Sequence, residues 1–299
     1  MHLDKNIVIK VLERGGKFVG YETYPGYCMR RVVVVHNSQG VDKLVQDALC
    51  PSSSIRVALN VSKRWNGIVG LMVRGCDLRA VAECINKNQV KREKLYLHGI
   101  KCDGEINIRL LRKELIKSGF SGVVIDANRK GNDYEIHFEN GEKQILNAGK
   151  ILDEKCFNCK VSSRIELDSF DEGYLDLPVF KRPESRQEER ENLEELFSKC
   201  ILCFACRAAC TGCFCTKCIF DGLMKKECNP YTYHLIRCYH LAGRCTGCGE
   251  CERVCPQDLP VRFLNRSLSE ILKRIYGEDF DRLNDDSGTF LTEISEFKI

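Results

Sequence analysis

The cysteines constrain this chain more than any other feature. There are 20 of them in 299 residues, and 13 fall between Cys200 and Cys255. Secreted disulfide scaffolds are short and cysteine-dense throughout, and this chain is neither. Its length lets it bury a core without covalent staples and suggests about two domains. With 43% hydrophobic and 29% charged residues, it has the composition of an ordinary folded chain. Thiols crowded into one part of such a chain point to bound metal. The 46 basic and 42 acidic side chains leave a net charge of +4. That balance gives no electrostatic case for nucleic acid or a membrane surface as partner. No run approaches the roughly 20 apolar residues that cross a bilayer, and no signal-peptide pattern opens the chain. A reducing, cytoplasmic location is expected.

Cys245, Cys248, Cys251 and Cys255, followed by Pro256, have the spacing Cys-x2-Cys-x2-Cys-x3-Cys-Pro of bacterial iron–sulfur proteins. Cys200, Cys203, Cys206 and Cys210 repeat it, with Thr211 in the proline position. Three thiolates on a tight loop reach three corners of one cubane, and the fourth, past a bend, reaches the other cluster. The spacing thus assigns Cys200, Cys203, Cys206 and Cys255 to one 4Fe–4S cluster, and Cys245, Cys248, Cys251 and Cys210 to a second. Zinc also accepts four thiolates, but its motifs present cysteines in separated pairs. Between the runs, Cys213, Cys215 and Cys218 form Cys-x-Cys-x2-Cys, with Cys228 as candidate fourth ligand and Cys238 beyond. They are read as an additional cluster, a zinc site, or replacements within the first run. Arg207, Lys217, Lys225, Lys226, Arg237 and Arg244 surround the cysteines and are read as offsetting cluster charge. His234 and His240 are read as surface or hydrogen-bonding residues. None of the six histidines sits in a catalytic motif.

The first 155 residues alternate strand-like and helix-like runs. Residues 31–36, 55–59, 68–73, 94–100 and 122–126 read as strands. Residues 41–49, 78–86 and 108–118 read as helices. The alternation predicts an α/β domain with a mainly parallel sheet. Asn140–Gly141 between residues 134–138 and 143–146 predicts a hairpin. Residues 181–199 hold five basic and six acidic side chains and read as a charged linker entering a helix. Residues 259–276 predict an amphipathic helix with Leu264, Leu268, Ile271, Leu272 and Ile275 on its apolar stripe. Residues 277–299 read as a tail.

Cys76 and Cys102 follow two predicted parallel strands, with Asp77 as the expected N-cap of the next helix. Strand ends of this kind face one ligand crevice. Cys156-x2-Cys159 adds a loop pair, so four thiolates from three places can enclose one centre. A lone Cys-x2-Cys also suits zinc, and Cys76 or Cys102 also suits a core. Cys28, Cys50 and Cys84 have no pairing pattern, and Cys84 reads as helix packing.

Residues 75–80 (GCDLRA), 99–102 (GIKC) and 155–160 (KCFNCK) resemble the beta-subunit family of coenzyme F420-reducing hydrogenases and formate dehydrogenases. Residues 239–256 resemble that family's branch with a fused dicluster ferredoxin, associated with heterodisulfide-reductase-like complexes. The resemblance covers most of residues 68–275. It implies that Cys76, Cys102, Cys156 and Cys159 ligate a further 4Fe–4S cluster. Together these readings give an expected N-terminal α/β domain over 1–180, a charged linker over 181–199 and an α+β dicluster-ferredoxin-like domain with helical flanks over 200–276. Better-known members carry a flavin that exchanges hydride with a deazaflavin, which brings FAD into consideration. No G-x-G-x-x-G fingerprint or Walker loop marks a flavin site here.

The expected protein is a non-catalytic electron-transfer subunit of an anaerobic hetero-oligomeric redox complex, with three or four clusters. It would pass electrons between a formate dehydrogenase or hydrogenase and a flavin or heterodisulfide-reductase-like partner. The alternative is a flavin-containing catalytic beta subunit acting on coenzyme F420 or a nicotinamide.

Overall fold

A computed structural model of the chain describes residues 3–24, 29–120, 122–159, 165–174, 176, 178–182, 192–223 and 229–276. Cys28, Lys225, Lys226, Cys228, residues 183–191 of the predicted linker and the 277–299 tail lie outside the described residues. The chain divides into two compact units, Met1–Gln187 and Glu188–Ile299.

In the first unit the strands are β1 (Lys17–Thr23), β2 (Arg30–Val35), β3 (Leu44–Val45), β4 (Val69–Val73), β5 (Leu95–Gly99), β6 (Val124–Lys130), β7 (Asp133–Phe138), β8 (Lys143–Asn147) and β9 (Ser169–Phe170). Its α-helices are α1 (Lys5–Glu13), α2 (Ser53–Arg64), α3 (Gly75–Asn86), α4 (Ile108–Lys117) and α5 (Ala148–Ile151). One sheet has the order β2-β1-β4-β5-β9, with β3 also on β1. β1–β4, β4–β5 and β5–β9 are parallel, whereas β2 and β3 join β1 antiparallel. The sheet is therefore mixed, parallel on the side that carries the cysteines. All five residues of β4 are buried, as expected of a strand covered on both faces. β6, β7 and β8 form a separate antiparallel sheet, with Tyr134, Ile136 and Phe138 alternating into its core. Gly141 takes φ +84 in the predicted turn, where glycine meets no Cβ penalty.

Two expected elements change type. Residues 55–59 belong to α2, not a strand. The buried residues of α2 are Ser54, Ile55, Ala58, Leu59 and Ser62, a helical period that a five-residue apolar run cannot reveal. Residues 41–49 are not a helix. They hold the end of a 3-10 turn (Ser38–Lys43) and then β3. The Asp47 carboxylate accepts from Leu49 N at 2.9 Å and from Arg30 Nε at 2.9 Å. Such local side-chain bonding draws backbone out of a helix.

β9 is only two residues long, and side chains add to the backbone bonds Asp168 N to Leu97 O at 3.0 Å and Asp171 N to Gly99 O at 2.8 Å. His98 on β5 places Nδ1 2.8 Å from Ser169 Oγ and Nε2 3.0 Å from Asp171 Oδ1. Tyr96 Oη lies 3.1 Å from the same Ser169 Oγ. This serine–histidine–aspartate grouping uses both ring nitrogens to staple the edge strand.

The second unit contains α6 (Leu193–Ser198), α7 (Ala205–Ala209), α8 (Ile219–Leu223), α9 (Pro230–His240), α10 (Glu250–Arg253) and α11 (Val261–Tyr276). Its core includes Phe197, Tyr233, Leu259 and Leu264. Among the described residues it has no strand, so the α+β expectation for this half becomes helix and loop. The reason is local. Leu202 (φ 52), Phe204 (φ 59), Gly247 (φ 70) and Gly249 (φ 80) turn the backbone left-handed between the cysteines, which precludes extended pairing there. α11 has the expected amphipathic character, but Ile271 and Ile275 are exposed, and Leu264 and Leu272 are buried.

At Gly70 in β4, a Cβ would stand 2.7 Å from Phe18 Cδ2 and 2.9 Å from Val11 Cγ2. Gly70→Ala should therefore overpack this layer and cost about 1–3 kcal/mol. Chemical denaturation followed by far-UV circular dichroism should show a lower midpoint, and an unchanged midpoint would refute this packing.

Candidate metal centres

Val73 and Gly99 are register partners at the ends of two parallel strands. The chain leaves β4 into α3 at Cys76 and leaves β5 toward Cys102. Asp153 N donates to Glu105 O at 2.8 Å, which brings the 3-10 turn Glu154–Asn158 beside these strand ends. Cys76, Cys102, Cys156 and Cys159 consequently line one pocket of about 400 Å³, counting space open to solvent, together with Arg74, Glu105, Lys155 and Phe180. Gly104 in the wall has φ +93, and a Cβ there would stand 2.7 Å from Tyr134 Oη. The Tyr134 hydroxyl donates to the Asp103 carbonyl, so the wall admits no side chain at this point.

The pocket floor is charged. Arg74, 3% exposed, donates to Asp77 Oδ2 at 3.0 Å, Cys50 O at 2.9 Å and Ser52 Oγ at 3.1 Å. Glu105 Oε2 lies 3.0 Å from Arg74 Nη1 and 2.8 Å from Lys155 Nζ. Asp77 is not the N-cap of α3 but its third residue. It reaches back to accept from Arg74 N at 3.0 Å, because Arg74 occupies the cap. Burial would raise the Asp77 carboxyl, but Arg74 overcomes it and holds the group below its usual range.

Burial pushes the Cys76 thiol up to about 12, with Asp77 adding to the rise and Lys155 and Arg74 opposing it. It raises Cys102 against Arg74, and raises Cys156 with help from Asp153. Glu105 N donates to Cys156 Sγ at 3.3 Å. Four thiols in one pocket, two buried cations and an N–H···S donor suit a centre that holds sulfur as thiolate. Iron would supply the charge that deprotonates them. Cys50 and Cys84 are buried away from the pocket lining.

In the second unit each cysteine run is a loop followed by one short helix. α7 carries Cys206 and α10 carries Cys251, and the two helices pack together. Cys203, Cys206 and Cys255 are all electrostatic neighbours of Cys200. Cys210 is a neighbour of Cys245, and Cys245 and Cys248 are neighbours of Cys251. The fourth cysteine of each run thus stands with the triplet of the other.

α9 lies in the insert between the runs and turns Tyr233, His234, Arg237 and Cys238 inward. His234 Nε2 is 3.4 Å from Cys200 Sγ, and Tyr233 Oη is 3.9 Å from Cys206 Sγ. Burial, with Arg237 next, pulls His234 down to about 4, so the ring is neutral at pH 7. His234 is the buried hydrogen-bonding residue, whereas His240 is only half-buried. Composition gave no sign of the Tyr233 and Arg237 contacts, although their spacing on one helix face was available.

The remaining cysteines have separate neighbours. Cys213 is hydrogen-bonded to Cys210 and Arg237. Cys215 is exposed. Cys218 N donates to Asp221 Oδ2 at 3.0 Å, and its thiol meets Arg207. Cys238 Sγ donates to Leu264 O at 3.3 Å. Among the described residues no three His, Cys, Asp or Glu side chains converge as a single ion requires. A cubane spreads its ligands over its corners and does not require that convergence.

Residues 239–260 match the family model described as a 4Fe-4S binding domain. The chain therefore carries a ferredoxin-like, 4Fe–4S-binding region on its C-terminal side. Over a longer span it is similar to a protein named F420-dependent formate dehydrogenase subunit beta from Methanocaldococcus jannaschii. That match is 22% identical over 263 residues and covers 66% of this chain and 69% of the relative. A solved chain of the F420-reducing [NiFe] hydrogenase complex from Methanosarcina barkeri, in a xenon-derivatised crystal, matches with a TM-score of 0.42 and 13% identity. The match covers 53% of this chain and 63% of that one, short of two thirds. No described helix is long and apolar enough to cross a membrane.

Lys155→Ala should unbalance the pocket floor, since removing one partner of a buried pair costs about 3–5 kcal/mol. The double variant Glu105→Gln/Lys155→Met should recover part of that loss in denaturation measurements. Equal losses in both variants would mean that the pair is not coupled.

Proposed function

We propose that the chain is an iron–sulfur electron-transfer subunit of a larger redox complex. The observation that carries this reading is the crossed arrangement of the two cysteine runs. Cys200, Cys203, Cys206 and Cys255 would hold one 4Fe–4S cluster, and Cys245, Cys248, Cys251 and Cys210 a second. Cys76, Cys102, Cys156 and Cys159 would hold a third in the domain over 1–180. Such clusters store and pass single electrons when bound. The chain's own residues would ligate iron, exclude water by burial and compensate charge through Arg74, Lys155 and Arg237. No residue is assigned a bond-making role.

The similarity to a formate dehydrogenase beta subunit supports a dehydrogenase or hydrogenase as one electron partner. A flavin protein or heterodisulfide-reductase-like subunit is the proposed other. The same similarity favours a second reading, in which the first unit binds FAD and exchanges hydride with coenzyme F420 or a nicotinamide.

Oxygen-free purification followed by iron, sulfide, zinc and flavin analysis tests both readings. About 12 irons with matching sulfide and no flavin are expected for three cubanes. One flavin per chain would favour the catalytic reading, and zinc in place of iron would sink both. Cys248→Ser should lose about four irons, while Cys84→Ser should lose none. An unchanged iron content in Cys248→Ser would defeat the assignment.

A further inference from the structure

The insert that delivers α9 carries a buried cation that the ferredoxin spacing does not require. Arg237 is 4% exposed, and its Nη2 donates to Cys206 O at 3.2 Å. Its electrostatic neighbours are Cys210, Cys213, Cys251 and Cys206. Cys206 belongs to the first proposed ligand set, and Cys210 and Cys251 belong to the second. The guanidinium therefore faces both sets from one position.

The other cations near these cysteines are placed differently. Arg207 is paired with Asp221 at 2.6 Å, which offsets its charge locally. Arg244 stacks over Phe214 at 5.3 Å, Lys217 is exposed, and Arg262, a neighbour of Cys245 in the second set, is paired with Glu252 at 3.5 Å. Arg237 binds a carbonyl and a thiol instead, and its Nε has no hydrogen-bond partner among the described residues.

We infer that Arg237 is one positive charge shared by both clusters of the second unit and that it raises their reduction potentials together. The inference rests on the eight-cysteine reading above. A guanidinium keeps its proton even when buried. Charge in a low-dielectric interior acts over longer distances than it does in water. Net charge and hydrogen bonding around the sulfurs are among the determinants of cluster potential. Adding an electron beside a fixed cation is favoured, so losing the cation lowers the potential. Because Arg237 faces both ligand sets, one substitution must move two potentials. His234 supplies a contrast, since its ring contact is to Cys200 alone of the eight proposed ligands.

The test uses the whole chain, purified without oxygen, with iron and sulfide measured before potentials are read by EPR-monitored redox titration. Wild type lacking both ferredoxin-type signals would defeat the cluster assignment, a result separate from the role of Arg237. Given both signals, Arg237→Gln with full iron should shift both midpoints to more negative values. Arg237→Lys should stay nearer wild type, and His234→Phe should move only the cluster that includes Cys200. Unchanged midpoints in Arg237→Gln, or a shift of only one cluster, would overturn the proposal. If Arg237→Gln loses iron, Arg237→Lys decides. Restored iron and both signals support a requirement for charge, whereas renewed loss makes Arg237 a packing residue and overturns the proposal.

Discussion

Ten of the twelve proposed ligand cysteines are buried or half-buried, and much of the surrounding structure compensates for the negative charge their sulfur must carry. A thiol in an apolar site keeps its proton unless metal, cations or N–H donors favour the thiolate. Burial raises Cys76, Cys102, Cys156, Cys206 and Cys251 alike. Lys155 and then Arg74 oppose the rise at Cys76, Arg74 at Cys102, Lys155 at Cys156, and Arg237 at Cys206 and Cys251. The cations must themselves be buried to be effective, and that imposes a second layer of carboxylates. Asp77 and Glu105 are this layer in the first unit.

The two units meet the requirement by different means. The first uses the parallel sheet. Two adjacent strands end level with each other, so their following residues enter the same space, and a loop from the neighbouring antiparallel sheet closes it. The charged floor then follows from residues next to the cysteines in sequence, Arg74 and Asp77 beside Cys76 and Lys155 beside Cys156. The second unit has no sheet among its described residues. It relies on two short loop-helix segments and on a helix inserted between them. The compensating cation there comes from outside both motifs.

Legibility in the sequence followed the same division. The two cysteine runs could be read because ligand spacing is short-range, and in the alternating part of the first 155 residues four of the five expected strands and two of the three expected helices lie where periodicity put them. The failures were at places where distant contacts decide. Residues 41–49 have helical periodicity, but Asp47 bonds to Arg30 and to its own backbone, and the segment pairs with β1. Residues 55–59 are too few for periodicity to distinguish strand from helix. Asp77 looked like a cap because Arg74 is an unusual residue at that position, and only the structure shows the carboxylate reaching back. Arg237 appeared among six basic residues with nothing local to distinguish it. Its burial depends on the fold of the whole insert.

The two cysteine loops are an internal repeat with unequal backbones. Gly247 and Gly249 take left-handed conformations in one loop, and Leu202 and Phe204 take them at the matching positions of the other. A residue with a Cβ costs roughly 1–2 kcal/mol more in that region. The glycine loop can adopt its shape on local terms. The other depends on tertiary packing, including the edge-on contact of Phe204 with Tyr233 at 5.4 Å. Its conformation is therefore contingent on α9, so the two halves of the repeat are not interchangeable: exchanging one loop for the other would preserve every cysteine and still change what the rest of the unit has to hold in place.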